Sequence, residues 1–301
     1  MKIRYIVKRF NRSSMLLIGH ANDIIEKYQD DGYDLTLRQL YYQFVSRDLL
    51  ANTIKNYKRL GSVINDARLA GLIDWTSLVD RTRNLKSMPH WLDPAEIIES
   101  SALSYAIDMW ANQDYRPEVW IEKDALLGVI QKVCRENQVP YFSCRGYTSQ
   151  SEMWGASQRM KKHIKAGQDP IVIHLGDHDP SGVDMSRDIA DRLQTVFRTR
   201  VRFVRIALNM PQVRKYNLPP NPAKLSDSRA EKYIAEFGPN SWELDALEPQ
   251  VMNDMIQKRI DVIKDPGFWK EDLAIQEKDR EDLEAVSDNW PTVVNFVNEN
   301  C

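Results

Sequence analysis

Residues 169–187 read DPIVIHLGDHDPSGVDMSR. An apolar run, Ile171 to Leu175, ends on two aspartates, Asp177 and Asp179, separated by one residue and followed at once by Pro-Ser-Gly. A short β-branched run bounded by turn residues predicts a buried strand, with Pro180 and Gly182 making the turn into a helix over 183–196. Two carboxylates so close repel each other unless a basic side chain or a metal ion lies between them.

The flanking sequence repeats this alternation. PEVWIEK (117–123), VPYFSC (139–144) and VRFVRIAL (201–208) read as further strands, and 125–137 and 151–166 as helices. Strands alternating with helices over short connections predict an α/β sheet, mainly parallel. Glu122 ends the first strand, so Glu122, Asp177 and Asp179 all fall at carboxyl ends of strands, where such sheets gather functional groups. Adjacent strands lie about 4.8 Å apart, close enough for one divalent ion to bridge them. Three oxygen ligands with no neighbouring cysteine select Mg²⁺, with Mn²⁺ as a substitute. His174, inside the apolar strand, reads as an interior side chain, while His178 sits between the acids with a side chain that need not face a metal; neither is a first choice as ligand or base.

The N-terminal half is helical in pattern. A first helix is expected over 14–29, and Asp30, Asp31 and Gly32 stop it. In LTLRQLYYQFVSRDL (35–49), Thr36 and Gln39 form a capping box, with Leu35 and Leu40 as its hydrophobic staple. Leu37, Leu40, Tyr41, Phe44 and Val45 recur with helical period and form one buried stripe. Tyr42 then swings toward the polar flank, one turn after Arg38. An exposed tyrosine beside a cation could attack a phosphodiester, although on the residues alone an ordinary surface tyrosine making a hydrogen bond is the plainer reading. A further helix over 52–70 carries Lys55, Lys58, Arg59 and Arg68, candidates for DNA-backbone contact. Consecutive short helices of this kind suggest a helix-turn-helix or winged-helix domain, with 72–75 as wing or edge strand. Asp80, Arg81 and Arg83 follow in a polar segment, a link is expected near 84–94, and a helix from Pro94 to Trp110 leads onward.

Charge supports the division. Residues 1–89 carry 15 Lys/Arg against 9 Asp/Glu, although the whole chain, with 41 against 43, is nearly neutral. A basic N-terminal module ahead of an acidic one fits a polyanion on the first and a metal on the second. No apolar stretch approaches 18 residues, so no membrane span is expected. The start lacks an apolar leader core, and three cysteines without a Cys-x-x-Cys pair suit a reducing, cytoplasmic setting without structural zinc.

The motifs Glu122-Lys123-Asp124-Ala125 and Gly176-Asp177-His178-Asp179-Pro180-Ser181-Gly182 resemble those of the Toprim domain. More particularly, they are similar to the DNA-cleaving A subunit of type IIB topoisomerase (topoisomerase VI) and its meiotic double-strand-break relative. Thr36-Leu37-Arg38-Gln39-Leu40-Tyr41-Tyr42 resembles that family's arginine and paired-tyrosine motif. Cys144-Arg145-Gly146-Tyr147 resembles its glycine loop, with Arg145 as a DNA contact, and 242–247 a segment after its sheet.

The resemblance implies a winged-helix domain (1–90), a helical linker (91–116) and a Toprim domain with a helical C-terminal extension (117–301). It implies Tyr42 as the nucleophile forming a 5′-phosphotyrosyl link, assisted by Arg38. Glu122, Asp177 and Asp179 would hold Mg²⁺, and Glu122 is also a candidate acid or base. Double-stranded DNA, a homodimer in which the tyrosine of one copy meets the metal of the other, and a separate ATPase subunit are implied as partners. No phosphate-binding glycine loop of the ATPase kind is present in this chain. Two other readings stand beside this one: a hydrolytic Toprim nuclease in which Tyr42 only binds DNA, and a silent DNA-binding protein whose acidic cluster is structural.

Overall fold

The computed structural model describes residues 1–79 and 88–300. Asp80, Arg81, Arg83 and the start of the expected link lie outside them. In chain order the helices before the sheet are α1 (Arg12–Asp30), α2 (Leu37–Ser46), α3 (Ile54–Leu69) and α4 (Pro94–Ser104). Then follow β1 (Tyr115–Ile121), α5 (Leu127–Glu136), β2 (Tyr141–Ser143), α6 (Gln150–Lys165), β3 (Asp169–Leu175), α7 (Pro180–Asp191) and β4 (Arg202–Ala207). The chain continues through α8 (Met210–Lys215), β5 (Asn221–Pro222), α9 (Ala230–Phe237), β6 (Asn240–Ser241) and α10 (Pro249–Asp261). It closes with α11 (Pro266–Asp288) and α12 (Trp290–Asn300).

The chain forms two compact units. One joins Met1–Arg83 to Pro117–Ile260; the other joins Asn84–Arg116 to Asp261–Cys301. In the second unit α4 packs along α11. Trp110 meets Trp269 edge to face at 5.7 Å, and the Tyr105 hydroxyl donates to Asp279 at 2.7 Å. The helix expected to run to Trp110 stops at Ser104, because the Tyr105 carbonyl turns away to accept from Arg280 Nε at 2.8 Å. The charged run 277–284 is one stretch of α11.

In the first unit the sheet order is β2-β1-β3-β4, parallel throughout as the alternation predicts. β1 and β3 are buried along nearly their whole length, as a parallel sheet covered on both faces requires. Trp120 and Val172 pack with Met153, Ala156 and Met160 of α6 and Ile189 of α7 in one core. A register shift between His174 and Leu175 bends β3 against β4 just before the Asp177 loop.

The three N-terminal helices enclose a separate core of Leu17, Ile18, Ile24, Leu40, Tyr41, Phe44, Leu60 and Ile64 among others. The capping box is formed: Thr36 Oγ1 accepts from Gln39 N at 3.3 Å, and Gln39 Oε1 accepts from Thr36 N at 2.8 Å. Residues 72–75 form bends rather than a wing strand. Trp75 N donates to Met1 O at 3.1 Å there, and the Arg68 side chain stacks on the Trp75 ring.

Candidate active site

Glu122, Asp177 and Asp179 stand where the sequence placed them, beyond the carboxyl ends of neighbouring strands β1 and β3. Their environments differ. Glu122 Oε2 accepts from Asp177 N at 2.8 Å, which ties the two strand ends together. Asp179 caps α7, its Oδ1 accepting from Gly182 N at 2.6 Å. Asp177 is buried, with Oδ1 accepting from Leu244 N at 2.7 Å and Oδ2 facing Lys123 Nζ at 2.9 Å. Burial first, and then the Asp177 charge, raises the Glu122 pKa; burial likewise raises that of Asp177 against the pull of Lys123.

The positive group beside Asp177 is a side chain, Lys123. Its Nζ lies 2.9 Å from Asp177, 2.9 Å from Glu243 and 2.5 Å from Asp245. Burial works against its charge, but Asp177, Asp245 and Glu243 more than offset this and raise its pKa well above the ordinary lysine value. Glu243 and Asp245 arrive through an antiparallel bridge. His178 N donates to Trp242 O at 2.8 Å and Trp242 N to His178 O at 2.9 Å, pinning the 3₁₀ turn Leu244–Ala246 beside the Asp177 loop. Beneath the loop, Arg205 Nη2 donates to the carbonyls of Gly176 at 3.0 Å and Asp177 at 2.6 Å.

The tyrosine helix meets this cluster. α2 packs on the Leu244–Ala246 turn, and Arg38 is ion-paired to Glu243, with Asp245 3.9 Å from its Nε. The Arg38 guanidinium also lies over the Tyr42 ring at 5.9 Å. Tyr42 is not exposed as its helical position suggested: it retains 3% of its surface, because α2 is covered on a second side by this turn. The Tyr42 hydroxyl accepts from Asn221 Nδ2 at 3.4 Å. Burial first, and then Glu243, raises its pKa, so the phenol is protonated at neutral pH. Tyr41 serves the packing instead. Its hydroxyl accepts from Thr53 N at 2.7 Å and donates to Thr53 O at 3.0 Å, tying α2 to the start of α3.

Within this chain α2 and Arg38 meet the acidic turn at Glu243 and Asp245. Of the candidate DNA contacts, Lys55, Lys58 and Arg59 are all exposed on α3. Arg145 is exposed in its loop, paired to Asp124 through contacts of 3.1 Å. Arg68 is corrected. It stacks on Trp75 at 4.8 Å and donates to the carbonyls of Trp75 and Leu78, and burial lowers its pKa, so it ties the domain together instead of facing solvent.

His174 is interior, as read, and His178 is buried as well. Burial lowers both, to about 3 and about 4, and they bond to Ser186 and Tyr233.

Lys123, Glu243 and Asp245 join the site from segments that carry the resemblance but were given no role there, and Arg205 and Asn221 join it without having been singled out. The first stands next to Glu122, Arg205 is a charge inside an apolar strand, and Glu243-x-Asp245 repeats the acidic spacing of Asp177-x-Asp179. Asn221 carries no such signal.

A divalent cation fits the donor chemistry: hard oxygens only, with Glu122 and Asp177 raised by neighbouring negative charge as well as burial. Gly176 and Gly182 keep the space open, since a Cβ on either would lie 2.9–3.0 Å from Glu122 Oε2. The arrangement is not closed around one point. Among the described residues no group of three or more His, Cys, Asp or Glu side chains is placed to hold a metal. Asp177 has both oxygens engaged, so it joins Glu122 and Asp179 as a ligand only when Lys123 shifts.

No known protein family, curated protein or solved structure matches the chain.

Proposed function

We propose that the chain cleaves double-stranded DNA by transesterification through Tyr42, in the manner of a type IIB topoisomerase A subunit. On this reading the N-terminal helices are a winged-helix-like DNA-binding domain and the parallel sheet is a Toprim domain. The observation that carries it is the convergence, within one compact unit, of Arg38 and Tyr42 on the acidic turn bonded to Asp177. Packing alone has no need of a tyrosine, two cations and a strand-end carboxylate set in one place.

Arg38 and Lys123 are the groups to hold a backbone phosphate beside the Tyr42 hydroxyl. Glu122, Asp179 and, once released, Asp177 would hold Mg²⁺ or Mn²⁺, which supplies charge stabilisation to the phosphate oxygens. Glu122 is also the candidate acid or base at the strand end. Lys55, Lys58 and Arg59 on α3 extend the contact along the duplex. A break of both strands needs two such sites, hence a homodimer, and strand passage needs a separate ATPase subunit.

A hydrolytic reading has one observation in its favour, the burial of Tyr42. Detergent-stopped reactions on supercoiled and end-labelled DNA with Mg²⁺ separate the two. Protein-linked 5′ ends that vanish in Tyr42→Phe and Asp177→Ala are expected. Free 5′ ends that survive Tyr42→Phe would establish hydrolysis instead.

A further inference from the structure

Glu243 occupies a singular position. One carboxylate is paired at once with the ammonium of Lys123 and with the guanidinium of Arg38, which lies over the Tyr42 ring, and its charge raises the Tyr42 pKa. It is held there by its neighbours on both sides: Trp242 is bridged to His178, and Leu244 N donates to Asp177. An anion between two cations and a phenol stands where a backbone phosphate would have to stand in order to be attacked by Tyr42 and steadied by Arg38 and Lys123. Glu243 and a phosphate therefore compete for the same two cations.

We propose that Glu243 is the proton acceptor for Tyr42, masked by Arg38 and Lys123 in the free protein and unmasked when a DNA phosphate takes both cations from it. This rests on the transesterification reading above. The masked state follows from charge. Burial would raise the Glu243 pKa, but Lys123 and Arg38 hold it down at about 2, which makes the carboxylate a poor base. Transfer of both cations to phosphate removes that pull while leaving the carboxylate half-buried beside the phenol. The base strengthens only when substrate is in place.

The step balances. The Tyr42 proton passes to a Glu243 oxygen, and the Tyr42 oxygen forms a bond to phosphorus. The bond from phosphorus to the 3′ oxygen breaks, and that oxygen takes a proton from water. The reverse step religates the strand and returns the proton to Tyr42. No oxidant or further reactant enters.

Glu243→Gln keeps the shape and loses the basic oxygen, so it is the informative variant. Folding is checked first by thermal melting, with Glu243→Asp as the conservative control. Two readouts are taken. Adduct formation in a single turnover at pH 7 is expected to fall on the order of 100-fold in Glu243→Gln, the scale of a lost general base, and to be partly restored in Glu243→Asp. The loss should shrink as pH rises toward phenol ionisation. Binding of a labelled short duplex, measured in a Tyr42→Phe background, is expected to tighten several-fold in Glu243→Gln, because Arg38 and Lys123 are no longer held.

An unchanged adduct rate in folded Glu243→Gln overturns the proposal and leaves the cleavage reading intact. So does a rate lost equally at every pH together with weakened DNA binding, which marks a structural role. Absence of any adduct in the wild type refutes the cleavage reading, and the base with it.

Discussion

Glu122 is half-buried beside Asp177, and both burial and that neighbouring charge act against its ionised form. Its folded pKa is raised above the unfolded value, so the folded state holds the proton more tightly. Stability from this group is therefore greatest below the unfolded value and declines as pH rises through the folded one. At pH 8 without metal, Glu122→Gln removes the unfavourable charge and is expected to stabilise the protein by about 1–3 kcal/mol. For a unit of this size that is an upward shift in Tm of roughly 2–10 °C. The gain should shrink toward pH 4, where both proteins are close to neutral at this position. Mg²⁺ should raise the wild-type Tm and leave that of the variant nearly unchanged. Melting curves across pH, with and without Mg²⁺, check both statements, and a variant less stable at pH 8 would contradict them.

Among the elements, the start of α7 is the most constrained. Gly182 brings the first turn so close to the Asp177 loop that an added Cβ would lie 2.3 Å from the Asp177 carbonyl and 3.0 Å from Glu122 Oε2. Backbone cannot yield as a side-chain tip can, so Gly182→Ala must displace the loop that orders both carboxylates. A loss of about 2 kcal/mol or more of stability is expected, together with loss of cleavage. Denaturant titration and the plasmid assay measure the two. The elements themselves are largely legible in the residues: the capping box at Thr36 and Gln39 forms, and each expected strand of the parallel sheet is present within a few residues. The environment of Tyr42 is not. Period 3.6 tells which side of α2 faces its own core, and it carries no information about the distant turn at Leu244–Ala246 that covers the other side. Glu243 and Asp245 reach the site by the His178–Trp242 bridge, a contact between remote segments that no local pattern encodes.

At the scale of the molecule, the basic surplus of residues 1–89 resolves into cations with different duties. Lys55, Lys58 and Arg59 line one helix, whereas Arg68 is tied to carbonyls and to Trp75. Replacing the first three together by Ala is expected to weaken duplex binding and to reduce the slope of log K against log salt by about 2–3. The melting temperature should hardly move. Arg68→Ala should do the reverse, lowering Tm with little change in slope, since its cost is lost hydrogen bonding and packing. A salt titration of each variant decides between the two roles. Charge counting finds the surplus, but only the fold separates cations that face solvent from those that hold the domain together.

The most direct measurement identifies the atom that carries the DNA. The wild-type protein is incubated with duplex and Mg²⁺ or Mn²⁺, stopped in detergent, digested with nuclease and trypsin, and sequenced by mass spectrometry. The expected product is a nucleotide joined through its 5′ phosphate to the peptide of residues 39–47, on Tyr42 and not on Tyr41. Cleaved DNA with free 5′ ends, or a nucleotide on any other residue, would contradict transesterification through Tyr42.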